Sequence, residues 1–150
     1  MSINSVYTQI ITDAARDKTN RREIPGAQFT LSGVNPSCGD EIAVQLELDT
    51  QESYASLAEV PDDVVITDCS YLGQGCAISQ ASAAFLAELL TGKTVGQARE
   101  LRDTFLGMIK GSVTDEEALD KLEDAQALAG VAKMPARVKC ATLAWHTLSE

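Results

Sequence analysis

Glu41-Ile42-Ala43-Val44-Gln45-Leu46-Glu47-Leu48-Asp49 is the stretch that decides the fold. Ile42, Val44, Leu46 and Leu48 alternate with Glu41, Gln45, Glu47 and Asp49, a clear period of two. Successive side chains of a strand point to opposite faces, so this run reads as a strand with one face buried and one wet. On its N-terminal side, Ala27 to Val34 is a first strand candidate. On its C-terminal side, Pro61-Asp62-Asp63 makes a turn, and Val64 to Leu72 is a third strand candidate. Together these form a small antiparallel meander of about three strands. Further upstream, Ile3, Val6, Tyr7, Ile10 and Ile11 stand at helical spacing and predict a short helix from Ile3 to about Ala15. A charged, irregular stretch from Arg16 to Glu23 follows, and Pro25-Gly26 punctuates it as a loop.

From Ala77 onward the period changes from strand to helix. Ala77 to Leu90 is rich in Ala, Ser and Leu and stops at Thr91-Gly92. Thr94-Val95-Gly96-Gln97 is a capping box, in which the Thr hydroxyl and the Gln side chain satisfy free backbone donors. It opens a helix with Val95, Ala98, Leu101, Phe105 and Met108 on one face, ending near Gly111. Thr114-Asp115-Glu116-Glu117 reads as a second capping box starting a helix through roughly Leu128. Gly130 and Pro135 bracket the next turn, and Val138, Ala141, Trp145 and Leu148 mark a last helix. Strands first and helices after imply an α+β fold with helices packed on one face of the sheet. No internal repeat and no long linker divides residues 1–150, so one domain is expected.

Bulk properties narrow the function. Apolar residues make up 45% and charged residues 23% of the 150, an ordinary globular composition. No run approaches the roughly 18 apolar residues of a membrane helix, and the N-terminus lacks a signal-peptide core, so a cytoplasmic protein is expected. The net charge of −10 opposes binding to a nucleic-acid backbone. It serves solubility, or steers the chain toward a basic protein partner. Four cysteines without a secretory signal argue against a disulfide framework, and the spacing 38, 69, 76, 140 contains no C-x-x-C.

Local context separates the four cysteines. Cys38 and Asp40 lie two apart in Asn35-Pro36-Ser37-Cys38-Gly39-Asp40, a turn that can aim both side chains at one point. Asp40 is either a ligand there or a residue bonding the backbone of its own turn. In Gly73-Gln74-Gly75-Cys76, two glycines end a strand and Cys76 sits at a helix start, where free N–H groups favour a thiolate. Cys140, in Arg137-Val138-Lys139-Cys140-Ala141-Thr142-Leu143-Ala144-Trp145, is expected in the first turn of the last helix, with two cations beside it. Three thiolate-favouring contexts in one chain read as ligands of one ion. Cys69 differs: it sits within a strand, with Val65, Thr67 and Tyr71 on its face, and reads as a small buried hydrophobe. The single histidine, His146, follows Cys140 by six residues, some 120° round a helix axis, so it is poorly placed to join that cysteine.

The three cysteine segments, with Gly73-Gln74-Gly75-Cys76 continuing as Ala77-Ile78-Ser79-Gln80-Ala81-Ser82, closely resemble the signature segments of the IscU/NifU-like iron–sulfur cluster assembly proteins. The resemblance is closest to the SufU branch. It also takes in Gly92-Lys93-Thr94, Phe105 to Gly111 and Ala129-Gly130-Val131-Ala132-Lys133. That branch has an extra helical segment between the second and third cysteines, which Met108 to Leu128 supplies here. The resemblance spans about residues 31 to 149. It implies that Cys38, Asp40, Cys76 and Cys140 converge on Zn²⁺, and that the partner is a SufS-type cysteine desulfurase carrying the pyridoxal phosphate and the persulfide. An iron–sulfur cluster on the same ligands is the alternative cargo. Oligomeric state is open, with a monomer favoured.

Two departures sharpen what the resemblance implies. Scaffold members usually have a His before the third cysteine, where this chain has Lys139, which favours sulfur transfer over scaffolding. Asp13-Ala14-Ala15-Arg16-Asp17-Lys18 lacks the His of the family's corresponding stretch, so no N-terminal partner contact carries over. A transfer site needs one ligand that can leave the metal, and Cys38, on a loop with no helix to hold it, is the expected one. The freed thiolate then takes the partner's persulfide sulfur. Arg137 is expected to contact the partner, to stabilise the persulfide, or to be a plain surface charge.

Overall fold

The computed structural model describes residues 3–149, with side chains from residue 8 onward. The apolar spacing expected at Ile3, Val6 and Tyr7 therefore lies outside the described side chains. The order of elements is α1 (Ile3–Arg16), β1 (Phe29–Asn35), β2 (Asp40–Leu48), β3 (Ile66–Gln74), α2 (Ala77–Leu90), α3 (Val95–Lys110), α4 (Glu116–Asp120) and α5 (Pro135–Thr147). A 3-10 stretch, Glu123–Lys133, runs between α4 and α5.

The meander is antiparallel in the order β1-β2-β3, as the alternating sequence predicts. Cross-strand partners run Phe29–Leu46–Cys69 and Leu31–Val44–Tyr71 on the helix-facing side, and the last β1–β2 pair is Asn35–Asp40. Leu46, Val44, Cys69 and Tyr71 are fully buried. The register shifts between Glu47 and Leu48, which face Asp68 and Ile66, so Thr67 is an extra residue in β3. This corrects the expected companions of Cys69. Ile66 is buried with it, whereas Val65 and Thr67 are exposed. Val64 and Val65 also leave the sheet: the Val64 carbonyl accepts from the Val95 N–H at 2.8 Å, and Val65 bridges to Thr94.

Helices α2 and α5 pack on β2, β3 and β1, and α1 packs on α2. Helix α2 is apolar nearly all round, which fits its position between the sheet and other helices. Ser82 ties α2 to α5: its hydroxyl donates to the Ala141 carbonyl at 2.5 Å and accepts from the Trp145 indole at 3.0 Å. Trp145 stacks on Phe105 of α3, with ring centroids 4.3 Å apart. Gly33 lets α5 come close to β1, because a Cβ there would lie 2.8 Å from Leu143. The Thr94–Gln97 capping box opens α3 as expected, and Gly111 closes it at φ +81°.

Three expectations in the C-terminal third are corrected. Asp115, rather than Thr114, caps α4, accepting from the Ala118 N–H at 3.1 Å. The helix stops at Asp120 and gives way to the 3-10 stretch instead of continuing to Leu128. The reason is visible in its burial: Leu122, Ala125, Leu128 and Val131 form a buried row, one every three residues, with Ala127 buried beside it. A 3-10 helix has three residues per turn and keeps that row on one face, which a 3.6-residue period would not. Gly130 lies inside this stretch, and Pro135 is the first residue of α5. Proline suits that position because its missing N–H would have no helical partner. Among the described residues, no helix is long and apolar enough to cross a membrane.

Candidate metal centre

The site lies where the β1–β2 hairpin, the N-terminus of α2 and the N-terminal half of α5 meet. Pro36 to Gly39 join β1 to β2, and Gly39 takes φ +68°, a conformation glycine adopts without strain. The turn brings Cys38 back over the end of the sheet. Ligand atoms of Cys38, Asp40 and Cys140 all lie within 4.8 Å of one another. Asp40 and Cys140 are fully buried, whereas Cys38 and Cys76 are partly exposed.

Asp40 is gripped on both oxygens. Its Oδ1 accepts from the Cys76 backbone N–H at 2.9 Å and from the Ser79 hydroxyl at 3.0 Å. Its Oδ2 accepts from the Asn35 amide at 3.2 Å. Burial alone would raise its pKa. The Cys76 N–H, the Cys140 thiol, Ser79 and Asn35 together outweigh burial and hold it below the usual carboxylate range. The alternative that Asp40 bonds only its own turn does not describe this arrangement, since Cys76 and Ser79 come from another element. Gly75 permits it: a Cβ there would lie 2.3 Å from the Ser79 hydroxyl and 2.5 Å from Asp40 Oδ1.

Cys76 is the N-cap of α2, as its sequence context predicts. Its carbonyl accepts the Gln80 N–H at 3.0 Å and its own N–H serves Asp40. Its thiol is not part of the close group of three, although it interacts with Cys140. Cys140 needs a correction. Because α5 begins at Pro135, Cys140 sits in the second turn rather than the first, beyond the strongest part of the helix dipole. Burial pushes its thiol pKa up, and contacts with Cys38, Asp40 and Cys76 push in the same direction. Arg137, which contacts Cys140, pulls the other way without reversing the rise.

Arg137 is the cation of the site. Its guanidinium donates to Cys38 Sγ at 3.8 Å. Contact with Cys140, then the charges of Cys76 and Cys38, raise its pKa further above the ordinary arginine value. Lys139 and His146 are exposed and line a neighbouring cleft of about 380 Å³, which Asn35, Pro36 and Ser37 divide from the thiols, and His146 is not in the close group of ligand atoms. Cys69 is fully buried away from them in the sheet core. Sequence reasoning missed the roles of Asn35 and Ser79. Ser79 sits three residues after Cys76 at a helix start, which marks a side chain able to reach back toward the cap. Asn35 carried no signal beyond its place in a turn.

Residues 6–149 match the family described as NifU-like N-terminal domain. The chain belongs to this family. Among NifU-like relatives, it is 32% identical over 149 residues to the zinc-dependent sulfurtransferase SufU of Bacillus subtilis (strain 168), covering 99% of this chain and 90% of that one. It is 32% identical over 148 residues to the iron–sulfur cluster assembly scaffold protein IscU of Streptococcus pyogenes serotype M1, covering 99% and 83%. Its fold matches the crystal structure of a candidate iron–sulfur cluster assembly scaffold protein for the SUF system from Fervidobacterium islandicum AW-1. There the TM-score is 0.77, with 31% identity over 99% of this chain and 97% of that one.

The donor set of this NifU-like site suits zinc. Thiolate sulfur and carboxylate oxygen are ordinary zinc ligands, and a tetrahedral ion with bonds of about 2.3 Å to sulfur spaces them about 3.8 Å apart. A group already within 4.8 Å needs to contract by about an ångström.

Proposed function

We propose that this protein is a zinc-binding sulfur acceptor that takes persulfide sulfur onto Cys38 from a SufS-type cysteine desulfurase, for iron–sulfur cluster assembly. Cys38, Asp40, Cys76 and Cys140 would hold the zinc. The observation that carries the reading is the contrast in how these residues are held. Asp40 and Cys140 are buried in a web of donors, whereas Cys38 sits partly exposed on a turn. The Cys38 thiol makes long contacts to the Ala136 carbonyl at 3.9 Å and to Arg137 at 3.8 Å, besides its contact with Cys140. Bound zinc would fix the geometry and keep its thiols deprotonated, with no redox chemistry of its own.

The transfer itself needs only Cys38 and the partner's persulfide. The Cys38 thiolate attacks the outer sulfur, a new S–S bond forms, the partner's S–S bond breaks, and the partner's cysteine leaves as a thiolate. The bonds exchanged are alike, so no oxidant or reductant is consumed. Arg137 offsets negative charge at Cys38 before the transfer and on the persulfide after it. A reducing compartment such as the cytoplasm would keep Cys38 available, and all four cysteines are free thiols here.

The test is desulfurase turnover of cysteine with this protein added, comparing wild type with Cys38→Ser. The variant should lose the stimulation, and unchanged stimulation would remove Cys38 from the acceptor role. A second reading, assembly of a [2Fe–2S] cluster as cargo on the same residues, draws on the IscU relatives named as scaffolds. Anaerobic reconstitution separates the two. Stoichiometric, transferable iron and sulfide favour the scaffold, and retained zinc with a persulfide on Cys38 favours the acceptor.

A further inference from the structure

Asn35 and Ser79 are buried polar side chains at the site to which the transfer reaction gives no part, and Asn35 is the one whose side chain reaches two of the proposed ligands. It is 4% exposed and closes the hairpin opposite Asp40. Its amide nitrogen lies 3.2 Å from Asp40 Oδ2 and 3.5 Å from Cys140 Sγ. An amide NH₂ carries two hydrogens, so one nitrogen can serve both acceptors at once. Its backbone carbonyl accepts from the Cys38 N–H at 3.3 Å. Asn35 thus touches three of the four proposed ligands, and two of them belong to elements far apart in the chain.

We infer that Asn35 is a positioning residue for metal capture: its amide holds Asp40 Oδ2 and Cys140 Sγ at one spacing and aims both at Cys38. Asp40 Oδ1 is already occupied by the Cys76 N–H and Ser79, so Oδ2 is the oxygen left to face the thiols. Oδ2 and the Cys140 sulfur are buried and would both be anionic with a cation bound, and two such groups repel at short range. A donor shared between them offsets that repulsion without adding a positive charge that would compete with the metal. Arg137 does a different job, because it contacts the thiols of Cys38 and Cys140 and brings a positive charge that would compete with the metal. This is the way outer-shell donors orient metal-binding side chains.

The inference rests on the reading of these residues as a metal centre, and the experiment separates the two. Zinc affinity is measured by competition with a chromophoric chelator for wild type, Asn35→Leu and Asn35→Ala. Leucine keeps the volume and removes the donor, and alanine removes both. Co²⁺ absorption is recorded as a signature of ligand geometry, and far-UV circular dichroism and melting of the metal-free proteins report folding. Both variants should bind zinc about 10–100-fold more weakly, with an altered Co²⁺ spectrum and metal-free protein still folded. Wild-type affinity in the variants, or affinity lost only in step with lost folded protein, would make Asn35 a purely structural amide. Wild type that binds neither Zn²⁺ nor Co²⁺ would overturn the metal reading and this inference with it.

Discussion

Cys69 and Cys140 are both fully buried, Cys69 on the helix-facing side of the small sheet and Cys140 on α5, which packs against that sheet. Cys69 lies mid-sheet across from Leu46 and beside Tyr71 and Ile66, in rows made of apolar side chains. Cys140 faces the end of the hairpin, where the last cross-strand pair is Asn35–Asp40. Burial pushes both thiol pKa values up, and the causes behind it differ. At Cys69 the next contribution is the charge of Asp68 on the neighbouring residue. At Cys140 it is the thiol of Cys38, followed by Asp40 and Cys76, all of them proposed ligands. A thiol surrounded by hydrocarbon has nothing to exchange its proton for. A thiol among other proton-bearing or anionic donors can give its proton up to a cation that binds them all. Burial alone therefore does not distinguish a core cysteine from a ligand, and the polarity of the adjoining row does.

Breaking the apolar row should have the largest effect on stability and the least on the site. Leu46 is fully buried, and Leu46→Ala should cost about 3 kcal/mol in urea unfolding while the folded fraction keeps its zinc affinity. Loss of zinc binding from fully folded Leu46→Ala would show that the two rows are not independent. Breaking the polar row at Gly75 should do the reverse. A Cβ there meets Ser79 and Asp40 at 2.3 and 2.5 Å, so Gly75→Ala must push the carboxylate aside. The expected stability loss is about 1–2 kcal/mol, alongside roughly a tenfold or greater loss of zinc affinity in a chelator competition. Wild-type zinc affinity in Gly75→Ala would mean that Asp40 does not depend on this close packing.

The same contrast explains what could be read from the sequence. The apolar rows announce themselves, because Ile42, Val44, Leu46 and Leu48 repeat with the period of a strand. The capping chemistry of Thr94 and Gln97 is equally local and equally legible. Cys38 and Asp40 stand out as candidates by their turn, and Cys140 by its family resemblance, and the fold brings the ligand atoms of these three within 4.8 Å of one another. What could not be read was contact between distant elements. Nothing near Asn35 tells that its amide will meet Cys140, 105 residues away. Two departures from expectation are local. Gly130 and Pro135 read as brackets of a turn, but proline also starts helices, and α5 begins at Pro135, which puts Cys140 in its second turn. Leu122, Ala125 and Leu128 fall within the α-helix expected through Leu128, yet together with Val131 they repeat every three residues, the period of a 3-10 helix.

The smallest effect compares two carboxylates that are held in different ways. Asp68, on β3 beside Cys69, is paired with Arg22 at 2.6 Å, while Asp40 is held by neutral donors. The bond from Arg22 lowers the Asp68 pKa against the opposing effect of burial. Its folded value therefore lies below the unfolded value of about 3.9, so its contribution is present above about pH 4 and is lost as pH falls through the folded value. Asp68→Asn should destabilise the protein at pH 7 by no more than about 1 kcal/mol, because the two side chains remain 41% and 30% exposed. The difference from wild type should shrink below pH 4 and also in high salt, which screens a partly exposed pair. Both trends are measurable by thermal melting across pH and ionic strength. A difference that grew in acid would assign Asp68 a protonated role in the fold. One indifferent to salt would mean that its bond to Arg22 acts as a neutral hydrogen bond does at Asp40, and the contrast between the two carboxylates would disappear.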